Sequence, residues 1–285
     1  MRLRDLQVVL DHTPRSQVLL GIALELARSN GAHLTGLCPL ELLLPADLGF
    51  ALGGYPEVMA LQSAVDQLQS QAMETAATVE AGFREALRRE GISGDWRTAS
   101  GPVGAAIAFH ARHTDLTVLG QPDPEHLPPP SARHMVEEAL LAAGRPLLVI
   151  PYAGTFPTIG RTVVIAWTET REAARAASDA LALIDPAAAV TVLSITRGSV
   201  GTASAVPGAE IAAHLARHGL AVTAARSVTD ASLSEADALL GYVADLGADL
   251  LVMGGYGHSR VRELALGGVT RGVLRHMTLP VLISH

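Results

Sequence analysis

The sequence predicts an α/β protein made of two tandem, doubly wound halves. Three observations lead there. Short apolar runs that read as buried strands alternate with segments of helical spacing, which implies a parallel sheet covered on both faces. The order strand, turn, helix, strand occurs twice, once from Leu6 and again from Thr162. The two halves also end alike, Arg145-Pro146-Leu147-Leu148-Val149-Ile150 against Leu279-Pro280-Val281-Leu282-Ile283. Two units of about 140 residues explain a chain of 285 residues better than one large domain.

The elements follow in order. Residues 6–10 form a strand, and Asp11-His12-Thr13-Pro14 is the turn after it. Val18, Leu19, Ile22, Ala23 and Leu26 recur at helical spacing, with Thr13 as the expected N-cap, Pro14 at the first helical position and Asn30-Gly31 as the C-cap. Residues 33–37 are the second strand. The segment 41–61, rich in Leu, Gly and Pro, reads as a packed surface loop or a lid, and 62–89 as an amphipathic helix that packs on the core. Residues 115–120 form a strand that precedes a further helix and the strand at 147–150.

In the second half, 162–167 is a buried strand and Thr170 the N-cap of a helix over 172–183, which Asp185-Pro186 breaks. Residues 190–195 form the next strand. Residues 249–254, a helix from Val269 to Met277 and a last strand at 281–283 complete the half. Asp11 thus matches Thr168, and Thr13 matches Thr170. The halves divide as 1–152 and 160–285, with 152–160 as linker. Their last strands are the expected seam of an intramolecular pseudo-dimer, which leaves a homodimer open.

Composition narrows the function. All 21 basic residues are arginine, which excludes a P-loop lysine, a kinase-type strand lysine and a Schiff base. A net charge of −7 argues against a nucleic-acid binder. The lone Cys38 excludes an internal disulfide and a cysteine-rich metal site, and it reads as a small buried residue. The amino-terminal residues show no secretory signature. The apolar stretch 37–52 is interrupted by Pro39, Glu41, Pro45 and Asp47, short of the ~20 apolar residues of a membrane span. The expected compartment is the cytoplasm.

In such a sheet, ligands bind beyond the carboxyl ends of the strands. There the second half carries Gly254-Gly255-Tyr256-Gly257-His258-Ser259-Arg260 and then Gly267-Gly268-Val269-Thr270, running from a strand into a helix. Glycines allow close backbone approach, and free amides at a helix start favour an anion such as phosphate. Arg260, Arg262, Arg271 and Arg275 against Glu263 alone make this segment locally basic. Taken by spacing alone, the same glycines serve equally as tight turns.

Gly254, Gly257 and Gly267 have the spacing Gly, two residues, Gly, nine residues, Gly of the universal stress protein family, whose closing segment 249–283 resembles. With the internal repeat, the chain resembles the tandem form. That resemblance implies a five-stranded parallel sheet per half, an ATP or related adenine-nucleotide ligand, with or without Mg²⁺, and a role as a stress-response sensor with an unknown protein partner. It places Gly254, Gly257, His258, Gly267, Gly268, Val269 and Thr270 at ribose and phosphates, and Thr168, Ile195 and Met253 near the adenosine.

The sequence departs from that pattern in three places. Gly268 stands at a Ser/Thr position, a loss of ~1 kcal/mol in one hydroxyl contact. Thr168 replaces the acid after the first strand, a loss of ~1.5–3 kcal/mol. The first half keeps Asp11, but Gly120-Gln121-Pro122-Asp123-Pro124-Glu125 and the prolines at 128–130 replace its glycine motif and remove amide donors. A nucleotide-free scaffold that works through protein contacts is therefore the rival reading. An enzyme of the wider nucleotide α-hydrolase type lacks its serine- and glycine-rich loop here, which leaves slow ATP hydrolysis at most. His110, His113 and Asp115 suggest a metal site, but two histidines three apart on one helix do not by themselves make one, and Asp11-His12 has no matching nucleophile.

Overall fold

The computed structural model describes residues 2–40, 55–124, 134–198, 207–229, 232–256 and 268–285. The first half runs β1 (Asp5–Val9), α1 (Arg15–Asn30), β2 (His33–Leu40), α2 (Tyr55–Glu90), β3 (Gly94–Ser100), α3 (Val103–Ala111), β4 (Leu116–Gly120), α4 (Met135–Ala143) and β5 (Leu147–Ile150). The second runs β6 (Thr162–Ala166), α5 (Arg171–Ala180), β7 (Ala189–Arg197), α6 (Ala209–Ala216), β8 (Ala221–Thr229), α7 (Glu235–Asp245), β9 (Leu250–Gly254), α8 (Gly268–His276) and β10 (Val281–Ser284). Among the described residues no helix is long and apolar enough to cross a membrane.

Each half is a five-stranded parallel sheet, and the strand order β3-β2-β1-β4-β5 is repeated as β8-β7-β6-β9-β10. The central strands are apolar on both faces because helices cover both. Leu250 and Val252 join one core with α1, α2, α5 and α6, while Leu251 and Met253 join the other with α3, α4, α7 and α8. The outer strands β3 and β8 have one neighbour each and are half exposed, so their sequences alternate weakly.

β5 and β10 pair antiparallel and join the halves into one ten-stranded sheet. Leu148 lies opposite Leu282, each two residues after a proline, so the halves are related about an axis through that fully buried pair. The connecting segment is pinned to the first half: Arg15 donates to the carbonyls of Gly154 (2.7 Å) and Ala153 (3.5 Å), and its guanidinium stacks 5.5 Å from the Phe156 ring.

Asp115 and Asp249 hold the same place in the two halves. Each carboxylate precedes a central strand and accepts amide protons from the start of the neighbouring one. Asp115 Oδ2 accepts from Arg4 and Asp5 (2.7 and 3.1 Å), and Asp249 Oδ1 from Gly160, Arg161 and Thr162 (3.0, 2.9 and 2.9 Å).

Three local expectations change. Thr13 does not cap α1: its hydroxyl donates to Asp11 Oδ1 (2.5 Å), which also accepts from Ser16 Oγ (2.7 Å), and the helix begins at Arg15. The chain is helical from Tyr55, so α2 absorbs the end of the expected loop at 41–61, with Pro56 tolerated in the first turn; residues 41–54 lie outside the described residues. The helix expected over 172–183 stops at Ala180, where the chain tightens into turns that end in an Asp185 carboxylate accepting the Ala187 amide (2.8 Å). Gly31 (φ 63°) and Thr170, which accepts the Ala173 amide (3.3 Å), act as the caps the sequence predicts.

Candidate functional site

The carboxyl ends of β6, β7 and β9 with the starts of α5 and α8 form the face where the second-half residues gather. β6 delivers Trp167 and Thr168. Thr168 is exposed, and its hydroxyl lies 3.1 Å from that of Thr170. β7 delivers Ser194, Ile195 and Thr196. Ile195 is half-buried and, like Met253 and Val269, packs toward the core beneath α7 and α8. Gly208 (φ 85°) opens α6 against Val192 and Trp167; a Cβ there meets Val192 Cγ1 at 2.8 Å.

β9 ends on two glycines with different duties. A Cβ on Gly254 lies 2.5 Å from the Ala173 nitrogen and 2.6 Å from the Glu172 carbonyl carbon, so the start of α5 rests directly on this backbone. A Cβ on Gly255 meets the Leu140 side chain of α4 at 2.6 Å. Tyr256 follows at φ 58°, unusual for a residue with a side chain. Its amide donates to Thr270 Oγ1 (3.4 Å), and its buried hydroxyl has no hydrogen-bond partner among the described residues. Burial first, and then the charge of Glu137, pushes the Tyr256 phenol well above its ordinary range, against the pull of Arg271.

Gly268 is exposed at the start of α8, and among the described residues nothing lies within 4 Å of where a Cβ would stand. Thr270 is buried, and its hydroxyl oxygen accepts the Tyr256 amide proton. The structure therefore brings Met253, Gly254, Gly268, Val269 and Thr270 to one strand end and one helix start, with Thr168 and Ile195 on the adjoining strands. Gly257, His258 and Gly267 lie outside the described residues.

Glu172, in the first turn of α5, is buried. Burial acts to raise its carboxyl, but its hydrogen bond with Arg171 (2.5 Å), its own backbone amide and the charge of His285 together hold it below the ordinary range. A lowered folded value means stability that is present at neutral pH and lost as pH falls from the unfolded value through the folded one. Urea midpoints measured from about pH 6 to pH 3 are expected to fall less for Glu172→Gln than for the parent. Parallel curves would refute this.

On the first-half face the polar side chains are engaged within the protein. Asp11 Oδ1 accepts from the Thr13 amide and hydroxyl and from Ser16, so the acid ties down its own turn. Gln121 occupies the place of Gly255. It is buried, donates to the carbonyls of Leu274 (2.8 Å) and Arg275 (3.1 Å) in the last turn of α8, and accepts the Tyr152 amide (3.1 Å). Sequence reasoning missed this residue; only its match to Gly255 under the repeat could have pointed to it. Arg226, whose Nε donates to Thr196 Oγ1 (3.1 Å), was also missed, and it adds a guanidinium beside the β7 strand end.

His110 and Asp115 do not converge on a metal. His110 Nδ1 lies 3.4 Å from an Arg97 nitrogen and Asp115 serves backbone amides; among the described residues no cluster of three His, Cys, Asp or Glu could hold an ion. Cys38 is buried, and burial, with a smaller effect of the Asp11 charge, pushes its thiol up to about 11.

Residues 160–285 match the universal stress protein family. Over 46 residues the chain is 48% identical to a universal stress protein of Synechocystis, a stretch that is 16% of this chain and 16% of that protein, so the match spans about a sixth of that relative. A universal stress protein structure from Archaeoglobus fulgidus is 16% identical, with a TM-score of 0.71 over 98% of this chain and 95% of that one. A putative universal stress protein structure from Pseudomonas aeruginosa is likewise 16% identical, with a TM-score of 0.60 over 99% of this chain and 93% of that one. At these identities the two structures share the fold over the full length.

Proposed function

We propose, from the match of residues 160–285 to the universal stress protein family and the fold shared over the full length, that residues 160–285 form a domain that binds ATP or a related adenine nucleotide as a stress-response sensor in the cytoplasm. Residues 1–152 form a companion domain that binds none. Thr168 and the half-buried Ile195 lie on the adenosine side, with the buried Met253 packed beneath them. The segment from Gly254 through Gly257, His258, Gly267, Gly268 and Val269 to Thr270 takes ribose and phosphates, with or without Mg²⁺.

The observation that carries this reading is the bond from the Tyr256 amide to Thr270 Oγ1. It fastens the end of β9 to the start of α8, so the first amides of that helix, which have no acceptor within the helix itself, stand beside a strand end, the arrangement that receives phosphate. At that helix start, among the described residues, nothing lies within 4 Å of where a Cβ on Gly268 would stand.

Calorimetric titration of the full chain with ATP and Mg²⁺ tests it. A one-site isotherm that Gly257→Asp abolishes supports the reading. Absence of heat, with no protection of 254–270 in hydrogen exchange, overturns it and leaves the nucleotide-free scaffold, which the neutral Thr168 and the missing hydroxyl at Gly268 favour. Thr168→Asp restores a charged acceptor where the first half has Asp11, and is expected to tighten ATP about tenfold or more. Unchanged affinity would separate Thr168 from the adenosine.

A further inference from the structure

We infer that Gln121 of the first half is a positioning residue for the anion site of the second, acting through α8; this rests on the nucleotide-binding reading above. A nine-residue helix moves as a short rod. Its exposed start, Gly268 to Thr270, is the place proposed for phosphate. Its other end has last-turn carbonyls without helical partners, and two of them, from Leu274 and Arg275, accept the Gln121 amide protons. The same side chain accepts the Tyr152 amide, so it is held at both of its own polar atoms and stays buried. A buried amide satisfied on each side fixes geometry, because losing any partner strands a polar group.

Other first-half residues support the opposite flank. Leu140 packs on Gly255, and the Glu137 charge acts on the Tyr256 phenol. Both arms of the candidate site therefore rest on the first half, the strand arm on α4 and the helix arm on Gln121. Where the second half has Gly255, the first has Gln121, whose side chain braces the helix that the second half presents to ligand.

The test compares three full-length variants with the parent. Gln121→Met keeps length and burial but loses every polar contact. Gln121→Glu keeps an acceptor for Tyr152 and loses the donors to α8. Arg175→Met removes a different bond between the halves, from Arg175 to the Gly144 carbonyl (3.3 Å), together with the Arg175–Asp179 ion pair within α5, and changes no bond to α8 among the described residues. Amide exchange in 268–276 without ligand, and ATP·Mg²⁺ affinity by calorimetry, are measured for each.

Both Gln121 variants are expected to speed α8 exchange and to weaken ATP about tenfold, within the usual range of coupling between linked sites, while Arg175→Met changes affinity less than about twofold. Unchanged α8 exchange in the Gln121 variants overturns the brace. Faster exchange with unchanged ATP affinity overturns the positioning role. An equal loss in Arg175→Met overturns the specificity of Gln121. A parent that takes up no ATP fails the functional reading itself, a result distinct from a parent that binds and variants that bind equally well.

Discussion

Gly254→Ala is expected to cost about 3 kcal/mol or more of stability, because the added methyl meets backbone rather than a side chain that can turn away. The nearest atoms are the Ala173 nitrogen and the Glu172 carbonyl carbon at 2.5 and 2.6 Å. Relief requires α5 to lift from β9, and with it Ala173, Ala176 and Ala177, all buried against the sheet. The melting temperature is expected to drop by roughly 6–12 °C.

Two neighbours calibrate this. Gly255→Ala meets only the movable ends of Leu140 and Ile283 and should cost about 1 kcal/mol. Gly268→Ala meets nothing within 4 Å among the described residues, and an alanine in the helix should leave stability unchanged or raise it by up to about 1 kcal/mol. A Gly254→Ala protein that melts like the parent would refute the contact. The order also guides ligand work: lost ATP binding in Gly254→Ala reports a displaced helix, whereas in Gly268→Ala it reports the approach of phosphate.

Asp249→Ala is expected to lose about 3 kcal/mol, since three amides from Gly160, Arg161 and Thr162 give up a charged acceptor and the start of β6 is no longer held. The matched change Asp115→Ala should cost about half of that. It frees two amides instead of three, one of them exposed, and removes a negative charge that bears on Asp5. Asp5 is itself raised above the ordinary carboxylate range, first by burial, and relief there offsets part of the loss. Denaturant midpoints for the two variants check the ratio; a larger loss at Asp115 would contradict the bond count.

The sequence made the inner strands legible because strands buried on both faces must be apolar throughout, as in 162–167 and 249–254. The outer strands β3 and β8 were not legible. Trp96 and Arg97 of β3, and Arg226 of β8, sit where one edge meets solvent, and no run or strict alternation survives there. α1 was placed correctly at its end by Gly31 and wrongly at its start, because Asp11 took the Thr13 hydroxyl before the helix could. At the candidate site, spacing located the glycines but could not assign their duties. Whether a glycine answers to ligand or to a helix on its back depends on a tertiary approach, and only the structure shows α5 resting on Gly254. Gln121 was hidden for the same reason: its partners are 153 and 154 residues away.

The antiparallel pairing of β5 with β10 also decides how the molecule responds to dilution. Each half supplies the other with the neighbour its last strand needs, and the segment 152–160 keeps that neighbour tethered. The tether sets an effective concentration of the order of millimolar, so closure is first order and independent of how much protein is present. A single proteolytic nick between Tyr152 and Gly160 converts it into a second-order association, and only then does the melting temperature acquire a dependence on protein concentration.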